Sequence, residues 1–303
     1  MKRLTQWTVS VVLAVVAGLV GSPAQGAVTT YWDHTSEQFS FEASAIGTDV
    51  HNGVSPFNLW GPLLTNGLAK VATRTGTPEL NGTAGAQAVE FDRIPPGGDP
   101  PSGPWAIQRE LETGGIPADV GMDIRGSFAF ALVNLPTTTH TFELSWSGAA
   151  VGGGAPVDRI MHIYARGQGD GTFDLTRQNN SLKLFENLVA GNWYEAVFEI
   201  DNFQGADLSN QFRFSLYDST AGGVLLVPPT NFTLGIGATD VANLSHLKFR
   251  GDRDATPLQV DFLRLIGSND QTLPDFVPLG IPEPASATLL ALGGIALLRR
   301  RHR

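Results

Sequence analysis

From about residue 39 to residue 265, apolar residues recur at every second position in short runs, and that period leaves little room for anything but β-strand. Successive side chains of a strand point to opposite faces, so a period of two builds one apolar face and one polar face. Phe39, Phe41 and Ala43 alternate with polar neighbours. Similar runs follow at 70–74, 87–91, 106–111, 125–133, 141–146, 159–165, 172–175, 181–185, 194–200, 211–217, 232–236, 247–250 and 260–265. Gly, Pro, Asn and Asp separate these runs, roughly every 10–15 residues, and no amphipathic helix interrupts them. The pattern predicts an all-β fold, an antiparallel two-sheet sandwich of jelly-roll type in which neighbouring strands are often far apart in sequence. No fixed repeat is visible, which argues against a solenoid or propeller.

The chain has 303 residues and no cysteine, so no disulfide supports the fold. A body of about 250 residues is large enough to bury a sufficient core without one. No linker-like stretch divides that body, which favours a single domain. With Lys2, Arg3, Glu283 and the four terminal arginines set aside, the 20 basic and 29 acidic residues become 14 and 28, a net charge of −14 for the body. Such a surface repels nucleic acid and anionic lipid.

Both termini differ from the body. At the start, Lys2 and Arg3 precede an apolar run from Val9 to Val20, and Ala24-Gln25-Gly26 supplies the small residues that signal peptidase reads. This predicts a signal helix over residues 1–26, cleaved between Gly26 and Ala27; a retained anchor is the alternative. At the other end, Pro282-Glu283-Pro284 leads into an apolar run from Ala285 to Leu298 and then Arg299, Arg300, Arg301, His302 and Arg303. The 14 apolar residues reach roughly 21 Å as a helix, a marginal span against a hydrocarbon core of about 30 Å. The arginines hold their end on the cytoplasmic side, and the two prolines keep the triplet extended in front of the helix. The expected organisation is a signal peptide (1–26), a β-sandwich (27–268), a linker (269–280) and a C-terminal signal (281–303).

The triplet, short span and arginine finish of residues 281–303 closely resemble the PEP-CTERM sorting signal of Gram-negative bacteria that make extracellular polysaccharide. The resemblance implies that an exosortase, a membrane-embedded cysteine protease, recognises Pro282, Glu283 and Pro284 and removes the tail at the cell surface. Signal peptidase and exosortase are then the processing partners, and the body ends at the cell surface or in the extracellular matrix after a transient stay at the inner membrane. A plain C-terminal anchor is the alternative.

The run Val189-Ala190-Gly191-Asn192-Trp193-Tyr194, the strand FRFSLYD and the late strand Val260-Asp261-Phe262-Leu263-Arg264-Leu265 resemble the concanavalin A-like or laminin G-like jelly roll. That resemblance implies a Gly-x-Trp-Tyr turn opening a central strand and an Asp-bearing strand closing the sandwich. Residues 51–68 and 94–105 are too rich in Pro and Gly for strands, yet they carry Trp60 and Trp105. These two indoles are either platforms for sugar rings or lids over the sandwich ends. Trp146 and Trp193, in or beside strands, read as packing residues.

Catalytic patterns are sparse. Glu199, Asp201 and Gln204 resemble the Glu-x-Asp-x-x-Glu signature of jelly-roll glucanases, but Gln204 stands at the acid/base position and cannot cycle a proton. Glu195 shares their face about 13 Å away along the strand, beyond the spacings glycosidases use. The structural alternative is an exposed face on which acidic residues alternate. His34, His51, His140, His162 and His246 lack metal-ligand spacing. Asp252 and Asp254 offer carboxylates to a structural Ca²⁺, although Arg253 between them fits an ordinary turn better. Two function classes result: a non-catalytic surface or matrix protein that can grip polysaccharide, and a glycoside hydrolase or lyase on the same fold. The missing acid/base favours the first.

Both apolar termini lie beside recognition sites, so the native surface protein is expected to start at Ala27 and to lack the Arg299–Arg303 cluster. Intact-mass spectrometry checks this; a mature protein that retains the arginines would exclude exosortase processing.

Overall fold

The computed structural model describes residues 28–33, 41, 43–50, 60–62, 67–75, 87–93, 105–110, 116–117, 122–134, 139–146, 159–177, 182–203, 211–233, 243–251, 257–268 and 272–279. The two terminal signals, including Gly26, Ala27, Pro282, Glu283, Pro284 and Arg299 to Arg301, lie outside these residues, as do Gln204, His34, His51, Asp252 and Asp254.

Sixteen strands and no helix occupy the described residues. In chain order they are β1 (Thr29–Trp32), β2 (Trp60–Pro62), β3 (Gly67–Thr73), β4 (Gln87–Arg93), β5 (Trp105–Glu110), β6 (Ile116–Pro117), β7 (Met122–Leu132) and β8 (Thr139–Trp146). There follow β9 (Arg159–Gly167), β10 (Thr172–Arg177), β11 (Leu182–Val189), β12 (Tyr194–Phe203), β13 (Gln211–Asp218), β14 (Val224–Thr233), β15 (Asn243–Gly251) and β16 (Leu258–Ser268).

They form two eight-stranded antiparallel sheets. Sheet A runs β14-β13-β12-β7-β16-β4-β3, with β1 also on β16; sheet B runs β11-β10-β9-β8-β15-β5-β2, with β6 also on β15. The chain crosses between sheets after β1, β2, β4, β6, β7, β11, β14 and β15, so strands such as β7 and β16 pair across more than a hundred residues. This is the expected jelly-roll sandwich.

Period two explains the packing. On β7, Ile124, Phe128, Phe130 and Leu132 enter the inter-sheet core, while Arg125, Ser127, Ala129 and Ala131 take the outer face. Aromatic rings join the sheets: Phe249 of sheet B stacks on Phe91 at 5.1 Å and meets Phe128 edge-on at 5.5 Å, and Phe173 meets Tyr194 edge-on at 5.9 Å. Gly126 occupies an inward position because the Phe198 ring fills the space a side chain would need; an added Cβ would stand 2.2 Å from Cζ.

The structure departs from the sequence reading at several points. Residues 43–47 form turns, and Phe41 adopts a left-handed φ of 61° with its ring buried, so neither Phe41 nor Ala43 lies in a strand. The strand expected at 232–236 lies earlier, as β14, and tolerates Pro228 and Pro229 because β14 is an edge strand. The Asp-bearing strand β16 does not close the sandwich but lies inside sheet A, between β7 and β4. Residues 272–279, expected as part of a linker, pack across sheet A, with Leu273 and Leu279 buried.

Burial pushes the Tyr194 phenol from 10.0 up to about 12, against its hydrogen bond with the Val189 backbone. Between those values the unfolded chain releases a proton that the folded chain keeps, so stability falls as pH rises from 10 to 12 and is unaffected below. The expected loss is about 2 kcal/mol. Urea melts across this range check it, and Tyr194→Phe should remove this residue's contribution to the pH dependence.

Candidate functional site

The outer face of sheet A holds the residues that the sequence offered for chemistry. β12 turns Glu195, Val197 and Glu199 outward, because Tyr194, Ala196, Phe198 and Ile200 point into the core. The register sets Glu199 directly between Arg125 on β7 and Arg213 on β13. Arg125 Nε lies 2.8 Å from Glu199 Oε1, and Arg213 Nε lies 2.6 Å from Oε2. Each carboxylate oxygen thus has its own guanidinium, the pairing that a strand's cross-neighbours can supply.

Glu195 is more enclosed, with 0% of its surface exposed. Its Oε1 accepts from Arg264 Nη2, and its Oε2 accepts from the Leu279 backbone N–H at 2.7 Å. Arg264 Nε also donates to Ser127 Oγ at 2.9 Å. A carboxylate this deep is stable only when its charge and lone pairs are met. The expected exposed row of acidic residues is therefore corrected: Glu195 is buried and Glu199 nearly so, and both are neutralised.

Residues 272–279 cover this row as an irregular strap. Arg125 Nη1 donates to Leu273 O at 2.9 Å and pairs with Asp275 at 2.9 Å; Arg264 Nη1 donates to Val277 O at 3.2 Å and sits 4.3 Å over the Phe276 ring. Leu279 ends the strap in a small second core formed with Ala88, Ala129, Ala131, Trp193 and Phe262. Tyr217 borders the same face, and its phenol is pushed up mainly by burial, with Glu195, Asp275 and Glu199 adding repulsion.

A bulge in β16 builds that second core. Pairing with β7 slips between Asp261 and Arg264, and Phe262 takes a left-handed φ of 51°. Inward positions change from Leu258 and Val260 to Leu263 and Leu265, which leaves Phe262 outside with Trp193. Arg74 lies over both rings, 5.7 Å from Trp193 and 5.3 Å from Phe262, and donates to the buried Asp261 at 2.5 Å. Trp193 Nε1 donates to Thr75 O at 2.6 Å, so it is a packing residue as expected.

The two loop tryptophans are corrected to strand positions. Trp60 opens β2 opposite Arg109, and Trp105 opens β5 opposite Gly251. His140, His162 and His246 fall on β8, β9 and β15. Among the described residues no group of three His, Cys, Asp or Glu could hold a metal ion. The arginine partners of the acidic row were missed in the sequence because they come from strands β7, β13 and β16; their own outward positions at 125, 213 and 264 were the available signal.

No family model matches the chain, and no curated protein matches it. Among solved structures, a carbohydrate esterase from the Shiga toxin-encoding bacteriophage phi24B is similar at 19% identity and TM-score 0.45, covering 79% of this chain and 99% of that one. The catalytic domain of a glycoside hydrolase family 131 protein from Coprinopsis cinerea is similar at 10% identity and TM-score 0.37, covering 79% and 88%. The T. cruzi calreticulin globular domain is similar at 9% identity and TM-score 0.37, covering 75% and 89%. Likenesses this distant assign no activity to the chain.

Removing Arg264 strands the Glu195 charge, so Arg264→Ala should lower stability by about 3–5 kcal/mol. Glu195→Gln keeps an acceptor for Leu279 and should cost less. Denaturant melts of both variants check this; a loss below about 1 kcal/mol in each would mean the pair is solvated.

Proposed function

We propose that this protein is an exported, exosortase-sorted, non-catalytic β-sandwich protein of the cell surface or extracellular matrix that binds polysaccharide. The observation that carries the non-catalytic part is the state of the acidic row. A two-carboxylate glycosidase needs one free carboxylate and one that exchanges a proton, on either side of an open site. Here Glu199 is held by two arginines, Glu195 is held by Arg264 and the Leu279 amide, and the strap lies over both. Gln204, at the motif's acid position, adds to the same reading.

Export and sorting rest on the two terminal segments, above all Pro282-Glu283-Pro284 with the apolar run and arginines behind it. A neutral or weakly charged polysaccharide is the favoured ligand, because a body of net charge −14 opposes a polyanion.

The test is the purified body, residues 27–280, titrated against a panel of neutral and acidic polysaccharides with reducing-end release measured in parallel. Binding to a neutral member without release supports the reading, and release of reducing ends would overturn it. In the same assay, Trp60→Ala and Trp105→Ala separate the two readings of these indoles: if they are lids, each change should lower stability by about 3–5 kcal/mol and leave glycan affinity per folded molecule unchanged; if they are platforms, each should weaken binding by about 1–3 kcal/mol with the fold intact. A selective loss of binding at unchanged melting temperature would establish the platform.

A further inference from the structure

We infer that the 272–279 strap is a gate on C-terminal processing, closed when Leu279 is seated; the inference rests on the sorting reading of Pro282-Glu283-Pro284. Leu279 is fully buried and its N–H is bound to Glu195, only three residues before Pro282. From Leu279 to Ala285, where the apolar run begins, the chain spans at most about 20 Å when fully extended. A seated strap therefore holds the folded sandwich close against the membrane that the apolar run enters. A protease takes its substrate as extended chain on both sides of the cleaved bond, so folded neighbours must first let go. Here the residues on the N-terminal side of the triplet are Leu279 and the strap.

The strap is built to open. It makes no strand pairing, its Asp275 side chain is 96% exposed, and only Leu273 and Leu279 are buried. Its other ties are single contacts: the Leu273 and Val277 carbonyls on Arg125 and Arg264, the exposed Asp275 carboxylate on Arg125, and the Phe276 ring under Arg264. Such a segment detaches locally without unfolding the sandwich. When opening and closing are fast relative to cleavage, the cleavage rate follows the open population.

The experiment uses the full precursor in its native host, with pulse-chase processing of the C-terminal tail and hydrogen exchange at the Leu279 amide on the purified protein. Phe276→Ala loosens the strap six residues upstream of Pro282, and Leu279→Ala empties its pocket, where loss of a buried leucine is expected to raise the open population at least about tenfold. Both variants should speed amide exchange and tail removal by the same factor. Faster exchange with unchanged or slower processing would overturn the gate. Unchanged exchange in both would overturn it too, since the strap would then not be held by these contacts. Glu283→Ala separates the two ideas: if it blocks processing while the strap variants leave the rate unaltered, the sorting reading stands and the gate falls. If Glu283→Ala is processed at the wild-type rate, the sorting reading itself fails.

Discussion

A fully buried carboxylate on the outer face of a sheet is the constraint around which this molecule is arranged. Glu195 has both faces of its strand covered, so neither oxygen can be left to water. One oxygen is met by Arg264 of β16, and the other by a backbone N–H from outside the sheet. The Leu279 amide fills that role. The strap thus answers the charge chemistry of β12, and of its apolar residues only Leu273 and Leu279 are buried. Glu199, four residues on, is satisfied within the sheet by Arg125 and Arg213, and Arg125 in turn holds the strap through Asp275 and Leu273. Charge satisfaction therefore ties β7, β12, β13, β16 and the strap into one unit.

The bulge at Asp261 and Phe262 makes this unit compatible with the apolar core. Without the extra residue, β16 would keep one parity along its length, and Arg264 would face inward with Leu258 and Val260. The slip turns Arg264 outward to Ser127 and Glu195 while returning Leu263 and Leu265 to the core. Its cost is a left-handed Phe262, whose backbone N–H is held at 2.8 Å by the Asp261 carboxylate. The displaced ring is then covered by Arg74 and shares a pocket with Trp193 and Leu279. Ala88, Ala129 and Ala131 are small because that pocket lies over their strands.

Alternation made most of the strands legible, because a sandwich imposes period two on β7, β12 and β13 wherever one face is core. It failed where that face was set by something non-local. Phe39, Phe41 and Ala43 alternate, yet the backbone at Phe41 is left-handed and Ala43 lies in a turn. Pro228 and Pro229 hid β14, since a proline is permitted only when its strand lies at a sheet edge, which the local sequence does not reveal. The Val260 to Leu265 run was readable as a strand but not as a bulged one: both V-D-F and L-R-L alternate, in opposite parities. The acidic residues at 195 and 199 were placed correctly on one face. Their burial was not legible, because the cover comes from residues 272–279, where Pro274 and Pro278 leave no periodic pattern.

The order of the C-terminal parts along the chain also follows from Glu195. A segment that satisfies a buried charge has to remain with the body, since its loss would leave a carboxylate oxygen unpaired in a dry site. Leu279 lies upstream of Pro282, so on the proposed sorting reading removal of the apolar run and its arginines would leave the Glu195 to Leu279 bond intact. A contact just ahead of the triplet would then let the tail depart while the sheet A face stays closed. On the same reading the strap would serve two requirements, a seated form that satisfies Glu195 in the folded body and a released form while the tail is cut.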